Sequence, residues 1–182
     1  MQTRNKKRLQ LILIASCFFA PMLGAAVLAL SGWVPDARSN GEGIVPQRTV
    51  DDVVIELADG KRLEWRDPDW RWSVVAIAGR TCADACLRQL DQIHRVRVSL
   101  NQKSSRVRLL YVGVPPQGEA AATVMPAWQS GSDPARGLAE WAPDVEDGVA
   151  AILVKPDGTA LTVYRDGFNA SGLRKDLAKV TR

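Results

Sequence analysis

Six consecutive residues, Ser73-Val74-Val75-Ala76-Ile77-Ala78, constrain this chain more than any others. The run is continuous, small and β-branched, too short for an ordinary helix and without the alternation of a strand that has one wet face. It reads as a strand buried on both faces, which requires covering layers above and below a sheet. A helix follows it. Cys82, Cys86, Leu90, Ile93, Val96 and Leu100 recur at steps of three and four and form one apolar stripe. Thr81 stands at the N-cap position, with Asp84 three residues on as a weak capping box.

The other elements follow from the same patterning. Residues 106–114 (RVRLLYVGV) read as a second buried strand. Residues 53–57 and 62–65 flank Asp59-Gly60 as a hairpin, and 150–155 and 160–164 flank Pro156-Asp157-Gly158 as another. Ser132-Asp133-Pro134 opens a short helix that reaches Trp141. Ser171 caps a last helix to Val180, with Leu173, Leu177 and Val180 inward. The order hairpin, strand, helix, strand, helix, hairpin, helix implies an α/β domain over residues 51–182, a mixed central sheet with helices on both faces.

The N-terminal part is built differently. Arg4, Lys6, Lys7 and Arg8 make residues 1–8 a basic tail, and residues 9–30 carry no charge. About 20 apolar residues cross a bilayer as a helix, and a basic flank keeps its own side cytoplasmic. A cleaved signal peptide fits less well, because the stretch is long and no Ala-x-Ala site follows it. Lipidation at Cys17 fits less well too, because Phe18 and Phe19 continue the apolar run. Residues 31–50, with Pro35, Gly41, Gly43 and Pro46, read as a linker. The expectation is a single-pass anchor in the inner (cytoplasmic) membrane that holds the domain in the periplasm.

The net charge of +4 invites a nucleic-acid reading, which the location of the charges removes. Four of the 24 Lys and Arg lie before residue 9, and all 20 Asp and Glu come after residue 30, so the domain and its linker are balanced. No polybasic patch is left to neutralise a phosphate backbone.

Chemistry concentrates at Cys82 and Cys86. Cα atoms four apart on a helix are about 6 Å from one another, inside the range a disulfide spans. Cys82 would sit in the first turn, where free amides and the helix dipole favour a thiolate; Arg80 adds to that effect and Asp84 opposes it. Outside the cytoplasm such a pair is expected to oxidise. The competing reading is two small core residues that continue the stripe of Leu90 and Ile93. His94, the only histidine, cannot join them on one ion. It lies eight residues beyond Cys86, about 12 Å along a continuous helix, and its neighbours Arg95 and Arg97 mark a solvated face.

The apolar N-terminal segment, Leu57-Ala58-Asp59-Gly60 with Trp65, the run Trp72–Gly79 leading into Arg80-Thr81-Cys82-Ala83-Asp84-Ala85-Cys86, and Ile152-Leu153-Val154-Lys155-Pro156-Asp157-Gly158 together resemble the Sco/SenC/PrrC family. The resemblance covers about residues 53–182. It implies a thioredoxin-like fold, membrane anchoring, and a part in cytochrome c oxidase assembly through copper delivery or thiol reduction. The implied partners are an oxidase subunit or a copper chaperone. Family members bind copper with the two cysteines and a histidine shortly before the C-terminal hairpin. Here that place falls near Asp147-Gly148, where no histidine stands. Two thiolates can still hold copper(I), with Met125 as a remote third contact; Asp147 is a hard ligand and suits copper(I) poorly.

Three readings follow. In the first, Cys82 attacks and Cys86 resolves in thiol–disulfide exchange. In the second, Cys82 and Cys86 bind copper(I) as an incomplete site. In the third, the pair is a static bridge in a docking module, with Trp70 and Trp72, two of six tryptophans, as an exposed patch.

Overall fold

The computed structural model describes residues 18–20, 22–23 and 39–181. Contacts divide the chain after Arg38, and the unit Ser39–Arg182 carries the fold. Of the expected span at 9–30, only 18–20 and 22–23 are described. They are helical, with Phe18, Phe19, Met22 and Leu23 exposed. Among the described residues no helix is long and apolar enough to cross a membrane.

Seven strands and three α-helices make up the domain. The strands are β1 (Glu42–Thr49), β2 (Glu56–Leu57), β3 (Trp72–Ala78), β4 (Val107–Val112), β5 (Gln129–Ser132), β6 (Val149–Val154) and β7 (Thr159–Tyr164). The helices are α1 (Asp84–Val98), α2 (Glu119–Val124) and α3 (Ala170–Val180). All seven strands join one mixed sheet in the order β1-β7-β6-β3-β4-β5-β2. β3 lies at its centre, parallel to β4 and antiparallel to β6, and every residue from Ser73 to Ala78 is buried. The apolar run thus does what its composition demands.

The helices do not flank both faces. Val74, Ala76, Leu109, Tyr111 and Leu153 meet Leu90 and Ile93 of α1, Ala121 of α2, and Leu173 and Leu177 of α3 in one core. The opposite face, with Val75, Ile77, Leu110 and Ile152, is covered by Ile55, Leu63, Trp65, Leu138 and Trp141, which belong to loops and short turns. The cause is topological. The β3–α1–β4 and β4–α2–β5 crossovers run the same way across the sheet, so equal handedness puts both helices on one side.

Other expectations change at the margins. Within the expected linker, residues 42–49 form β1, an edge strand antiparallel to β7. Its partner residues are backbone groups on another strand, which turn-prone composition does not reveal. The first hairpin shrinks to a two-residue β2 with a single bridge from Glu56 to Arg62, although its Gly60 turn stands at φ 80°. The helix expected from 132 to Trp141 is only a 3-10 turn at Ala139–Trp141, preceded by β5. Asn169, not Ser171, caps α3, its side chain accepting from the Ser171 amide. Met125 packs against the helix-side core, and His94 is partly buried on α1.

A buried carboxylate ties the start of the domain to its last helix. Asp176 of α3 accepts bonds from the Asn40 amide (2.7 Å), the Asn40 side chain (2.9 Å), Ser39 Oγ (3.1 Å) and the Tyr164 hydroxyl (2.9 Å). Burial alone would push its carboxyl up, but these donors outweigh burial and hold it below the ordinary carboxylate value. A depressed carboxyl stabilises the fold above its unfolded-state pKa near 4 and ceases to as pH falls through its lower folded value. Asp176→Ala is therefore expected to cost about 2–3 kcal/mol at pH 7. Urea unfolding at pH 7 and at pH 3 should show that difference shrinking at the acid end.

Candidate functional site

β3 ends at Ala78 and β6 begins at Val149, and the two residues are paired. That register sets the loop before β6 against the loop after β3. Gly79 donates to the Gly148 carbonyl (3.0 Å) and Thr81 to the Glu146 carbonyl (3.0 Å). The approach is close enough that a Cβ at Gly79 would overlap the Glu146 and Val145 carbonyls.

In this crook lies a Cys82–Cys86 disulfide, its Cα atoms 5.0 Å apart. The two cysteines differ in access. Cys82 is partly exposed, whereas Cys86 is wholly buried and belongs to the helix-side core. Helix α1 starts at Asp84, so Cys82 precedes it and is not in its first turn. Thr81 does not cap the helix; its hydroxyl bonds the Glu146 carbonyl instead.

The cap comes from far along the chain. The N-cap residue, Ala83, has no side-chain acceptor to offer. The Asp147 carboxylate accepts from the amides of Ala83 (2.5 Å), Ala85 (2.9 Å) and Cys86 (3.3 Å). These are among the donors a helix start leaves unpaired. Burial opposes ionisation of Asp147, but the three amides and the charge of Arg88 hold its carboxyl below the ordinary value. In the sequence Asp147 stands out only as a poor metal ligand. A cap supplied from more than 60 residues away leaves no local pattern to find.

An open groove of about 730 Å³ lies at the same end of the sheet, with Ala78, Gly79, Arg80, Val114, Pro115 and Arg136 along it. The buried Tyr111 hydroxyl donates to the carbonyl of Val114 on the groove's lining (2.6 Å), and burial pushes that hydroxyl's pKa up to about 12. Of the proposed tryptophan patch, Trp70 is exposed but Trp72 packs against the core.

The donor set bears on copper. Among the described residues no group of three His, Cys, Asp or Glu side chains could hold a metal ion. His94 lies in the middle of α1, Met125 packs on the core, and Asp147 is engaged by three amides. Among the described residues no third side chain stands ready to join the two cysteines on one ion. Among the described residues the two thiolates, after reduction, are what could hold copper(I).

Comparison with curated proteins gives no match to this sequence. Comparison with solved structures gives many. Apo Sco1 from Thermus thermophilus superposes with a TM-score of 0.57 at 17% identity, over 81% of this chain and 99% of that one. Copper-bound ScoI from Arabidopsis thaliana gives 0.51 at 13% identity, over 76% and 96%. The bacterioferritin comigratory protein of Xanthomonas campestris, described by its alkyl peroxide reduction activity, gives 0.53 at 11% identity, over 78% and 97%. At such identities the likeness establishes a thioredoxin-like fold. A family model matches residues 72–182, from the first residue of β3 to the C-terminus and more than half of the chain. The chain belongs to the family of transmembrane-like, thioredoxin-like C-terminal domains.

Proposed function

We propose that this chain is a membrane-tethered thiol–disulfide reductant serving cytochrome c oxidase assembly. One observation carries the reading: a partly exposed Cys82 bridged to a fully buried Cys86 where the central strand gives way to its helix. Once the bridge is reduced, one reachable sulfur and one protected sulfur suit exchange, in which Cys82 attacks a substrate disulfide and Cys86 resolves the mixed disulfide. The groove beside Arg80 offers room for the segment that carries a substrate cysteine. The anchor at residues 9–30 would hold the domain on the periplasmic face of the inner membrane, where oxidised thiols accumulate. The oxidase assignment rests on the Sco-like sequence pattern, supported by a fold shared with Sco1 and ScoI.

Removal of the chain from its cell tests this reading. Oxidase activity is expected to fall, and to return with the wild-type chain but not with Cys82→Ser. Undiminished oxidase activity without the chain would contradict the assignment. Rescue by added copper alone would shift it from thiol reduction to copper delivery.

A further inference from the structure

Helix starts ordinarily favour a nearby thiolate, because unpaired amides and the dipole present positive charge to it. Here those amides already have an anion. The Asp147 carboxylate binds Ala83, Ala85 and Cys86 through both of its oxygens. Asp84 adds a second carboxylate in the first turn, against which stand Arg80, paired with Glu146, and Arg88. When the bridge is opened, a thiolate at Cys82 or Cys86 meets a resident negative charge and finds the Ala83, Ala85 and Cys86 amides taken.

We propose that Asp147 is a positioning residue that biases the Cys82–Cys86 pair toward the disulfide, so that the reduced pair gives up its electrons more readily. The carboxylate holds the first turn of α1 in both redox states, but it opposes a thiolate in the reduced state only. This deepens the redox reading of the pair and depends on it. The balanced reaction is exchange with glutathione. The Cys82–Cys86 bridge takes up two electrons and two protons from two glutathione thiols, which leave joined as glutathione disulfide.

The test is the equilibrium constant of that reaction for the full chain in detergent at pH 8, where thiolate stability counts. Asp147→Asn keeps the size and one acceptor oxygen but removes the charge. It is expected to shift the equilibrium at least fivefold toward the dithiol, about 20 mV at 29.6 mV per tenfold. Asp144→Asn, on the same loop and without a bond to α1, should stay within twofold of wild type. Asp147→Ser, small and neutral, serves as the second variant and should move the same way as Asp147→Asn. An unchanged equilibrium in the Asp147 variants would overturn the proposal, as would an equal shift in Asp144→Asn, which would reduce it to general charge. Neither result touches the thiol–disulfide reading itself, which fails only if the bridge does not exchange.

Discussion

Replacing Cys82 by serine is expected to abolish disulfide exchange by the reduced chain, while Cys86→Ser stops it half-way. The asymmetry comes from burial. Cys86 has no exposed surface, so an incoming disulfide can reach only Cys82. The Cys82 thiolate attacks one substrate sulfur, forms a mixed disulfide and releases the first substrate thiol. Cys86 then loses its proton and attacks the Cys82 sulfur. The second substrate thiol leaves, and the Cys82–Cys86 bridge of the structure is restored. Two electrons have passed to the substrate. With glutathione disulfide as the acceptor, wild type should release two thiols per chain. Cys86→Ser should release one and retain a glutathione adduct visible by mass spectrometry; Cys82→Ser should release none. Equal adducts on both variants would show that access does not set the order of attack.

A second large effect lies at the opposite end of the sheet. Asp67 has a fully buried side chain, and it ties its own loop to β4. It accepts from the amides of Asp69 (2.9 Å) and Arg71 (3.3 Å), pairs with the Arg71 guanidinium (3.1 Å), and lies 3.5 Å from Arg108 of β4. Arg108, itself mostly buried, also donates to Ser73 Oγ of β3 and to the carbonyls of Glu64 and Trp65. Burial pushes the Asp67 carboxyl up, and the bonds from Arg71 with the charge of Arg108 more than reverse this. Removing one member of a buried ion pair leaves its partner uncompensated, at a cost of about 3–5 kcal/mol. Asp67→Ala is expected to lose that much in urea unfolding at pH 7, and Asp67→Asn somewhat less. A loss below 1 kcal/mol would show that Arg108 is satisfied by its carbonyl and hydroxyl partners alone.

What the sequence made legible was whatever depends on neighbours along the chain. The buried strand at Ser73–Ala78, the stripe from Cys86 to Leu100 and the Gly158 turn each announce themselves by composition and period. The pairing of Cys82 with Cys86 was readable because only four positions separate them, although Cys82 precedes the helix that was expected to carry both. What stayed hidden depends on residues brought together by the sheet. β1 exists because β7 offers it an edge, and residues rich in Gly and Pro gave no hint of that. The expectation of helices on both faces failed because covering a face needs only apolar side chains, and Ile55, Trp65 and Trp141 supply them from loops and a short turn. Asp147 is the clearest case. The missing histidine near the second hairpin was visible, but its occupant's bonds to α1 arise from the pairing of Ala78 with Val149.

A working redox pair at Cys82–Cys86 has a reduction potential that a cell's thiol buffers can reach. Wild-type chain equilibrated in buffers of increasing reducing strength should open and close its bridge reversibly as a two-electron couple, with a midpoint above about −300 mV. A bridge that stays intact below about −300 mV, or that opens only on unfolding, would be a structural disulfide and not a redox pair.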